Sequence, residues 1–405
     1  MQVLLGVVYS WSVFRGPLAA AYKWSNAQTI APFRYSLLVL ALSMIVGGLW
    51  LDRSGPRVVA TAGGVLLGIG WVLAGIIGSD PVGLIMAYGC LVGIGTGFAY
   101  VTPIATLLKW FPDKRGMMVG LAVMGVGISP LVFAPVLEAL LGADPARFAA
   151  TIPRTFFVIA AVCFTGVVGL GQFCRTPPPG WKPAGWQPGA ASAAAKESVG
   201  TWSMLATWQF YALWVVYFLG SSVGLTAIGE TSPQVREMAK TGAALSGGVA
   251  LGIMSVFNGV GRLAWGSVSD RLGRTKTLLA MCACTAFACV FLLRQATGFW
   301  QLQVGLCLAA FAYGGYLALL PSLTADYYGP KHVGANYGLV FTAWGLCGFV
   351  VPGYFAGITD RARKAGNLAA GYNEIYLTLA GMAVLCGLLT LVLRRPRAAG
   401  EATRT

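Results

Sequence analysis

Apolar runs of roughly 18 to 25 residues follow one another along the whole of this 405-residue chain. Each is long enough to cross a hydrocarbon layer about 30 Å thick as a helix. Lipid offers no partner to a free backbone N–H or C=O, so spanning segments are restricted to helices and closed barrels. A barrel would show segments of about ten residues with alternating hydrophobicity, and these runs do not alternate. The pattern predicts an all-α membrane protein with 12 transmembrane helices. They fall at about 1–20, 28–50, 58–78, 83–108, 116–140, 152–173, 204–228, 243–267, 277–294, 300–325, 335–358 and 374–393.

The net charge of +15 would suit a nucleic-acid partner, but its distribution argues against one. Sixteen basic residues lie in segments that would share the N-terminal side, and nine lie opposite. That bias predicts a multi-pass protein of the cell membrane, plasma or inner, with both termini in the cytoplasm. Three basic residues, Arg15, Arg34 and Arg262, lie within spans and more than three residues from either end. Arg15 and Arg34 sit near span ends, where the side chain can snorkel to the interface. The nine cysteines show no metal spacing and read as small apolar packing residues. No metal, cofactor or nucleophile–base set is expected, and the lone histidine, His332, reads as a loop residue. Nothing demands a dimer, so a monomer is the expectation.

The two halves repeat at an offset of 218 residues. Gly48, Asp52, Arg53 and Gly55 fall on Gly266, Asp270, Arg271 and Gly273. Gly97, Pro103, Thr106, Pro112 and Gly116 fall on Gly315, Pro321, Thr324, Pro330 and Gly334. The chain therefore divides into an N-terminal six-helix bundle at 1–175 and a C-terminal one at 204–394 in the same orientation. Between them, 176–203 is rich in Pro, Gly, Ala and Ser and reads as a mobile cytoplasmic linker. Residues 395–405 form a cytoplasmic tail. Parallel repeats of this size are the architecture of major facilitator transporters, which hold substrate between the halves near the midplane. On the same offset the first helix is short at its cytoplasmic end, and the native start is expected upstream of Met1.

The segments from Gly48 to Arg57 and from Gly266 to Arg274 resemble the signature loop of the major facilitator superfamily. Both copies join the second and third helices of their halves, so the resemblance covers the full chain. It implies that the acidic residue caps a facing helix and pairs with basic residues, closing the cytoplasmic side. A carboxylate suits the positive end of a helix. Asp52, Arg53, Arg57, Asp113, Arg115, Asp270, Arg271 and Arg274 are the candidate gating residues. The loop from Trp110 to Gly116, with Tyr9-Ser10-Trp11 and the segment Phe257–Arg262, resembles the oxalate/formate antiporter and monocarboxylate transporter branch.

Arg262 stands about 12 Å along the helix from Asp270. A guanidinium keeps its proton, and a charge so deep costs roughly 2.5–3.5 kcal/mol on insertion scales. No Asp or Glu lies as deep: Glu138, Glu230, Asp326 and Glu374 fall near span ends. Such a cation suits an anionic ligand, and its planar fork fits a carboxylate. Asn258, one turn away on the same face, is open to substrate contact or to a hydrogen bond with a neighbouring helix. Many animal-type monocarboxylate carriers place an Asp there, proposed to take the coupled proton, and the amide cannot. Tyr9, Tyr100 and Tyr313 are candidates to meet a carboxylate or hydroxyl, since a buried phenol needs a partner. Packing would explain each of them equally well, though Tyr100 and Tyr313 match the family's cavity positions. Leu121, Met124, Phe341 and Trp344 would limit substrate size. The oxalate-handling relatives carry a second cation at the Trp344 position, so one fixed charge suits a small monoanion.

These readings converge on a secondary transporter of small monocarboxylates, of the lactate or pyruvate type, with no enzymatic chemistry. The resemblance implies proton symport. Oxalate/formate-type exchange and a non-transporting carboxylate sensor are the alternatives.

Overall fold

In the computed structural model, residues 1–142, 144–178, 180–183, 199–239 and 247–394 are described, and every regular element among them is helical. The first span, α1, is Gln2–Ser10 continued by Ser12–Tyr22 across a 46° bend. The other N-terminal spans are α2 (Asn26–Ser54), α3 (Pro56–Ile77), α4 (Pro81–Trp110), α5 (Arg115–Leu141) and α6 (Pro145–Gly171). The second half holds α7 (Trp208–Ala239), α8 (Gly247–Leu272), α9 (Arg274–Leu293), α10 (Phe299–Tyr328), α11 (Val333–Lys364) and α12 (Leu368–Val392). Eleven helices are long and apolar enough to span, and the bent α1 makes the twelfth. Several run past their expected ends, α7 as far as Ala239 and α11 as far as Lys364. Hydropathy marks the depth of the hydrocarbon, whereas backbone hydrogen bonding carries a helix on into the headgroup layer.

Local chemistry sets the boundaries. A capping box starts α2: Ser25 Oγ accepts from the Gln28 N–H at 3.3 Å, and Gln28 Oε1 accepts from the Ser25 N–H at 2.8 Å. Both signature loops are tight turns in which one glycine separates two helices. Gly55 has φ +81° and Gly273 φ +87°, a conformation that strains any residue with a Cβ. That accounts for the repeated glycine. In α1 the stretch Gly6–Ser10 is 3-10 helix, a tighter winding that often marks a hinge, and it places Tyr9 at the bend.

Two seams join the halves: α5 lies along α8, and α2 lies along α11. Glycines repeated at the 218-residue offset let the backbones touch. A Cβ on Gly120 would lie 2.4 Å from the Arg262 carbonyl oxygen, and one on Gly338 would lie 2.8 Å from that of Met44. Likewise Gly116 meets Gly266 and Gly334 meets Gly48. Small residues at these spacings allow the close packing that drives helix association in lipid.

Two expectations change here. Arg34 does not simply snorkel: its Nε donates to the Phe349 carbonyl of α11 at 2.7 Å. The ends of the linker are also docked. Trp181 Nε1 donates to the Trp110 carbonyl at 3.1 Å, and the Val199 N–H donates to that of Tyr328 at 3.0 Å. Residues 184–198 and the tail at 395–405 lie outside the described residues.

Gly120 and Leu121 test the seam, since one is buried on it and the other is 48% exposed. Gly120→Leu overpacks the α5–α8 contact, at a cost of about 1–3 kcal/mol. Leu121→Ala is expected to stay within about 0.5 kcal/mol. Thermal unfolding of the purified protein should show a clear drop in Tm for the first substitution only.

Candidate functional site

Arg262 is fully buried, on the face of α8 where all neighbours come close. A Cβ on Gly314 of α10 would lie 2.3 Å from the Asn258 main-chain carbonyl oxygen and 2.9 Å from the Arg262 backbone nitrogen. Only a glycine lets α10 pass so near the α8 backbone at this level. The guanidinium makes two hydrogen bonds. Nε donates to Asn258 Oδ1 at 3.0 Å, and Nη1 donates to the Val123 carbonyl of α5, in the other half, at 2.7 Å. Nη2 has no partner among the described residues. The Cζ atom lies 6.0 Å from the centre of the Tyr9 ring. Asn258 Nδ2 donates to the Ala310 carbonyl at 3.3 Å, which turns its oxygen toward the arginine. Of the two roles left open for Asn258, the structure shows the hydrogen bond to a neighbouring helix, and the same orientation steadies the cation.

Around this cation the aromatic residues form a connected wall. Trp344 Nε1 donates to the Tyr313 hydroxyl at 2.8 Å, and the Tyr313 and Tyr9 hydroxyls lie 3.4 Å apart. Phe341 stacks on Trp344 with ring centres 4.7 Å apart and packs against Tyr100 at 5.5 Å. Two small cavities are both bounded by Tyr9. One, of about 20 Å³, is bounded by Tyr9, Tyr100, Thr96, Val126, Phe341 and Trp344 among others. The second, of about 10 Å³, reaches Asn258, Gly127, Ile228, Met254 and Ser255. Each has room for about one water-sized group. A larger groove of about 530 Å³ between α8 and α10 is lined by Phe257, Val260, Val304 and Phe311 among others. Its lining holds no contact of the Arg262 guanidinium, whereas the small cavities reach Asn258 and Tyr9, so we place the candidate site at the small cavities.

Sequence reasoning put Leu121 and Met124 in this wall, and the structure corrects both. Leu121 is 48% exposed on the outer surface, and Met124 is half-buried and lines neither cavity. The inward stripe of α5 is Gly116, Gly120, Val123 and Gly127, and the glycine spacing was the signal that could have set this face. Also missed were Tyr217 and Tyr337, buried with their hydroxyls 3.1 Å apart and both packed edge-on against Phe341.

The gating candidates divide. Asp270 caps α5, accepting from the N–H groups of Gly116 at 3.1 Å and Met117 at 2.8 Å. It also pairs with Arg274 at 2.7 Å. Asp326, which sequence reasoning left aside, bridges Arg115 at 2.8 Å and Arg274 at 3.0 Å. This network ties α5 to α8, α9 and α10. Asp52 does not repeat the cap in the other seam; it pairs within its own half with Lys109 at 3.0 Å. Arg53, Arg57, Asp113 and Arg271 are exposed, and none joins an ion pair among the described residues.

The sequence pattern of the Major Facilitator Superfamily matches residues 3–352 and 237–405. The chain belongs to this superfamily. It is a transporter of the major facilitator type, a multi-pass membrane protein whose relatives bind small substrates. It is 29% identical to the "Oxalate:formate antiporter" of Oxalobacter formigenes, over 85% of this chain and 78% of that protein. It is 25% identical to "Apicoplast pyruvate carrier 1" of Toxoplasma gondii, over 80% of this chain and 70% of that protein. "Monocarboxylate transporter 13" of Rattus norvegicus is 30% identical over 34% of this chain and 32% of its own. Among solved structures, a double-tryptophan variant of the proton:xylose symporter XylE superposes with a TM-score of 0.74. That match covers 98% of this chain and 95% of the other at 15% identity, which shows a shared fold.

The unequal ends of the two major facilitator loops predict unequal effects. Asp270→Asn should raise hydrogen exchange at the Gly116 and Met117 amides, which lose a charged acceptor. Asp52→Asn should leave exchange at the start of α11 unchanged. Mass spectrometry of peptides from both regions measures the contrast.

Proposed function

We propose that this transporter carries small monocarboxylates of lactate or pyruvate size by alternating access. The observation that carries the reading is Arg262: a fully buried cation with no acidic partner among the described residues and with Nη2 unpaired beside Tyr9. A buried charge is retained where it is paired or put to use. Here the pair would be the substrate. A carboxylate that displaced the Val123 carbonyl from Nη1 could take Nη1 and Nη2 together, as two parallel charge-assisted hydrogen bonds. Tyr9, Tyr100 and Tyr313 would orient it, with Asn258 holding the guanidinium. Because Val123 belongs to the opposite half, binding the anion would exchange an inter-half contact for a substrate contact.

The single charge beside the site favours a small monoanion. No residue lining either cavity is charged, so neither brings a cation to add to Arg262, and Phe341 and Trp344 wall the first. In this reading the halves at 1–175 and 204–394 rock about the site, both termini are cytoplasmic, and a monomer suffices. Proton symport is the favoured coupling. An anion entering against a negative-inside potential faces about 2.3 kcal/mol per 100 mV, which a co-transported proton cancels. With an amide at Asn258, the substrate itself is the group proposed to carry it.

Exchange is the second reading, favoured by the similarity to the Oxalobacter antiporter. Uptake of labelled lactate into proteoliposomes separates the two. Symport gives accumulation driven by an imposed pH gradient, and exchange gives uptake only into carboxylate-preloaded vesicles. Saturable binding without uptake would mark a sensor and overturn the transport of lactate. Arg262→Ala should weaken substrate affinity roughly thirty-fold or more. Arg262→Lys, which keeps the charge and loses the fork, should recover little of it. Normal uptake by Arg262→Ala would overturn the clamp.

A further inference from the structure

The two seams are built from one repeat, yet among the described residues their end ties lie at opposite faces, with the Arg262–Val123 hydrogen bond midway along the first. Along α5–α8 the ties are at the face that bears Asp270, where Asp270, Asp326, Arg115 and Arg274 interlock. The far end of that seam carries Gly252 against Leu131 at the positions equivalent to Arg34 and Phe349. Along α2–α11 the arrangement is reversed. At the Asp270 face only backbone contact joins Gly48 to Gly334. Some 14 residues back along α2 from Gly48, about 21 Å at 1.5 Å per residue, Arg34 crosses to α11.

Arg34 is held there by three features. Its Nε donates to the Phe349 carbonyl at 2.7 Å, its Cζ lies 4.8 Å from the centre of the Phe349 ring, and the guanidinium lies on Gly353. A Cβ at Gly353 would come within 2.7 Å of Cζ. Tyr35 packs edge-on against the same Phe349 ring at 5.2 Å. Both helices are weakened at this level. Pro32 lies inside α2 and Pro352 inside α11, and an internal proline removes a helical hydrogen bond and invites a bend. The tie therefore joins the two points where these helices can flex.

We propose that Arg34 is the gate tie of the face opposite Asp270, and that the Asp270–Asp326 network and the Arg34–Phe349 contact are opposing closures on diagonal seams. Loss of either biases the transporter to open on the side it held. The assignment rests on the alternating-access part of the functional reading and not on the identity of the substrate.

The test is hydrogen exchange of the full-length protein in lipid nanodiscs, with no carboxylate added. Arg34→Gln is expected to speed exchange at about residues 30–38 and 345–356 by roughly tenfold, the loss of one hydrogen bond from a charged donor. Exchange at 112–120 should not rise. Asp326→Asn should give the converse pattern. Arg34→Lys should behave like Arg34→Gln, because lysine has neither the Nε–H nor the planar face. Gly353→Ala, which displaces the guanidinium and keeps the charge, should reproduce the local increase and covers the case in which Arg34→Gln does not fold. Wild-type exchange in Arg34→Gln or Arg34→Lys, or a rise spread evenly over both faces, overturns the proposal. Failure of lactate uptake by the wild-type protein would sink the substrate and leave this result standing.

Discussion

A permanent positive charge enclosed between two bodies, with only neutral acceptors around it, is the constraint on which the centre of this protein depends. Arg262 cannot be relieved by losing a proton, and the described residues bring it no carboxylate. It is stabilised by an amide oxygen on its own helix and a peptide oxygen from the other half. Dipoles of that kind compensate a charge less fully than an anion does, and one guanidinium nitrogen is left over. The packing is arranged to permit this. Gly314 and Gly120 bring α10 and α5 against the backbone of α8, so little space remains in which water could do the same work.

The same arrangement links site and gate. A side chain that bonds across the seam makes the distance between α5 and α8 part of its own energetics. The charged network around Asp270 acts on that seam roughly 12 Å away along α8. The aromatic wall is continuous from Tyr9 through Tyr313 and Trp344 to Phe341, which makes the position of the α1 bend depend on α10 and α11.

Much of the fold was legible in the sequence because a bilayer imposes one length and one polarity on every span. The repeat was legible for a related reason: tight turns such as those at Gly55 and Gly273 tolerate one residue type, so the residue persists in both copies. Faces were harder. On α5 the apolar residues run all round, from Met117 and Val119 to Leu121, Val123 and Met124, and lipid accepts an apolar side chain as readily as a core does. Hydropathy therefore could not tell Leu121 from Val123, and only the glycine spacing carried that information. The gate was misjudged through symmetry. Asp52 and Asp270 are equivalent in the repeat, but Arg115, Arg274 and Asp326 correspond to Val333, Pro56 and Leu108. One copy of the motif has partners across its seam, and the other pairs within its own half.

Arg15, Arg34 and Arg262, the three arginines within the apolar runs, all reach across to main-chain carbonyls: those of Gly229, Phe349 and Val123. A peptide oxygen is present whatever amino acid occupies the position. Replacing Val123 or Gly229 by a residue of similar size would leave the acceptor in place, so a scan of side chains would score these positions as silent. What can withdraw such an acceptor is a slide or a turn of the whole helix that bears it. These contacts thus register rigid-body movement while remaining insensitive to most single-residue change, a property well suited to a machine whose working stroke is a displacement of helices.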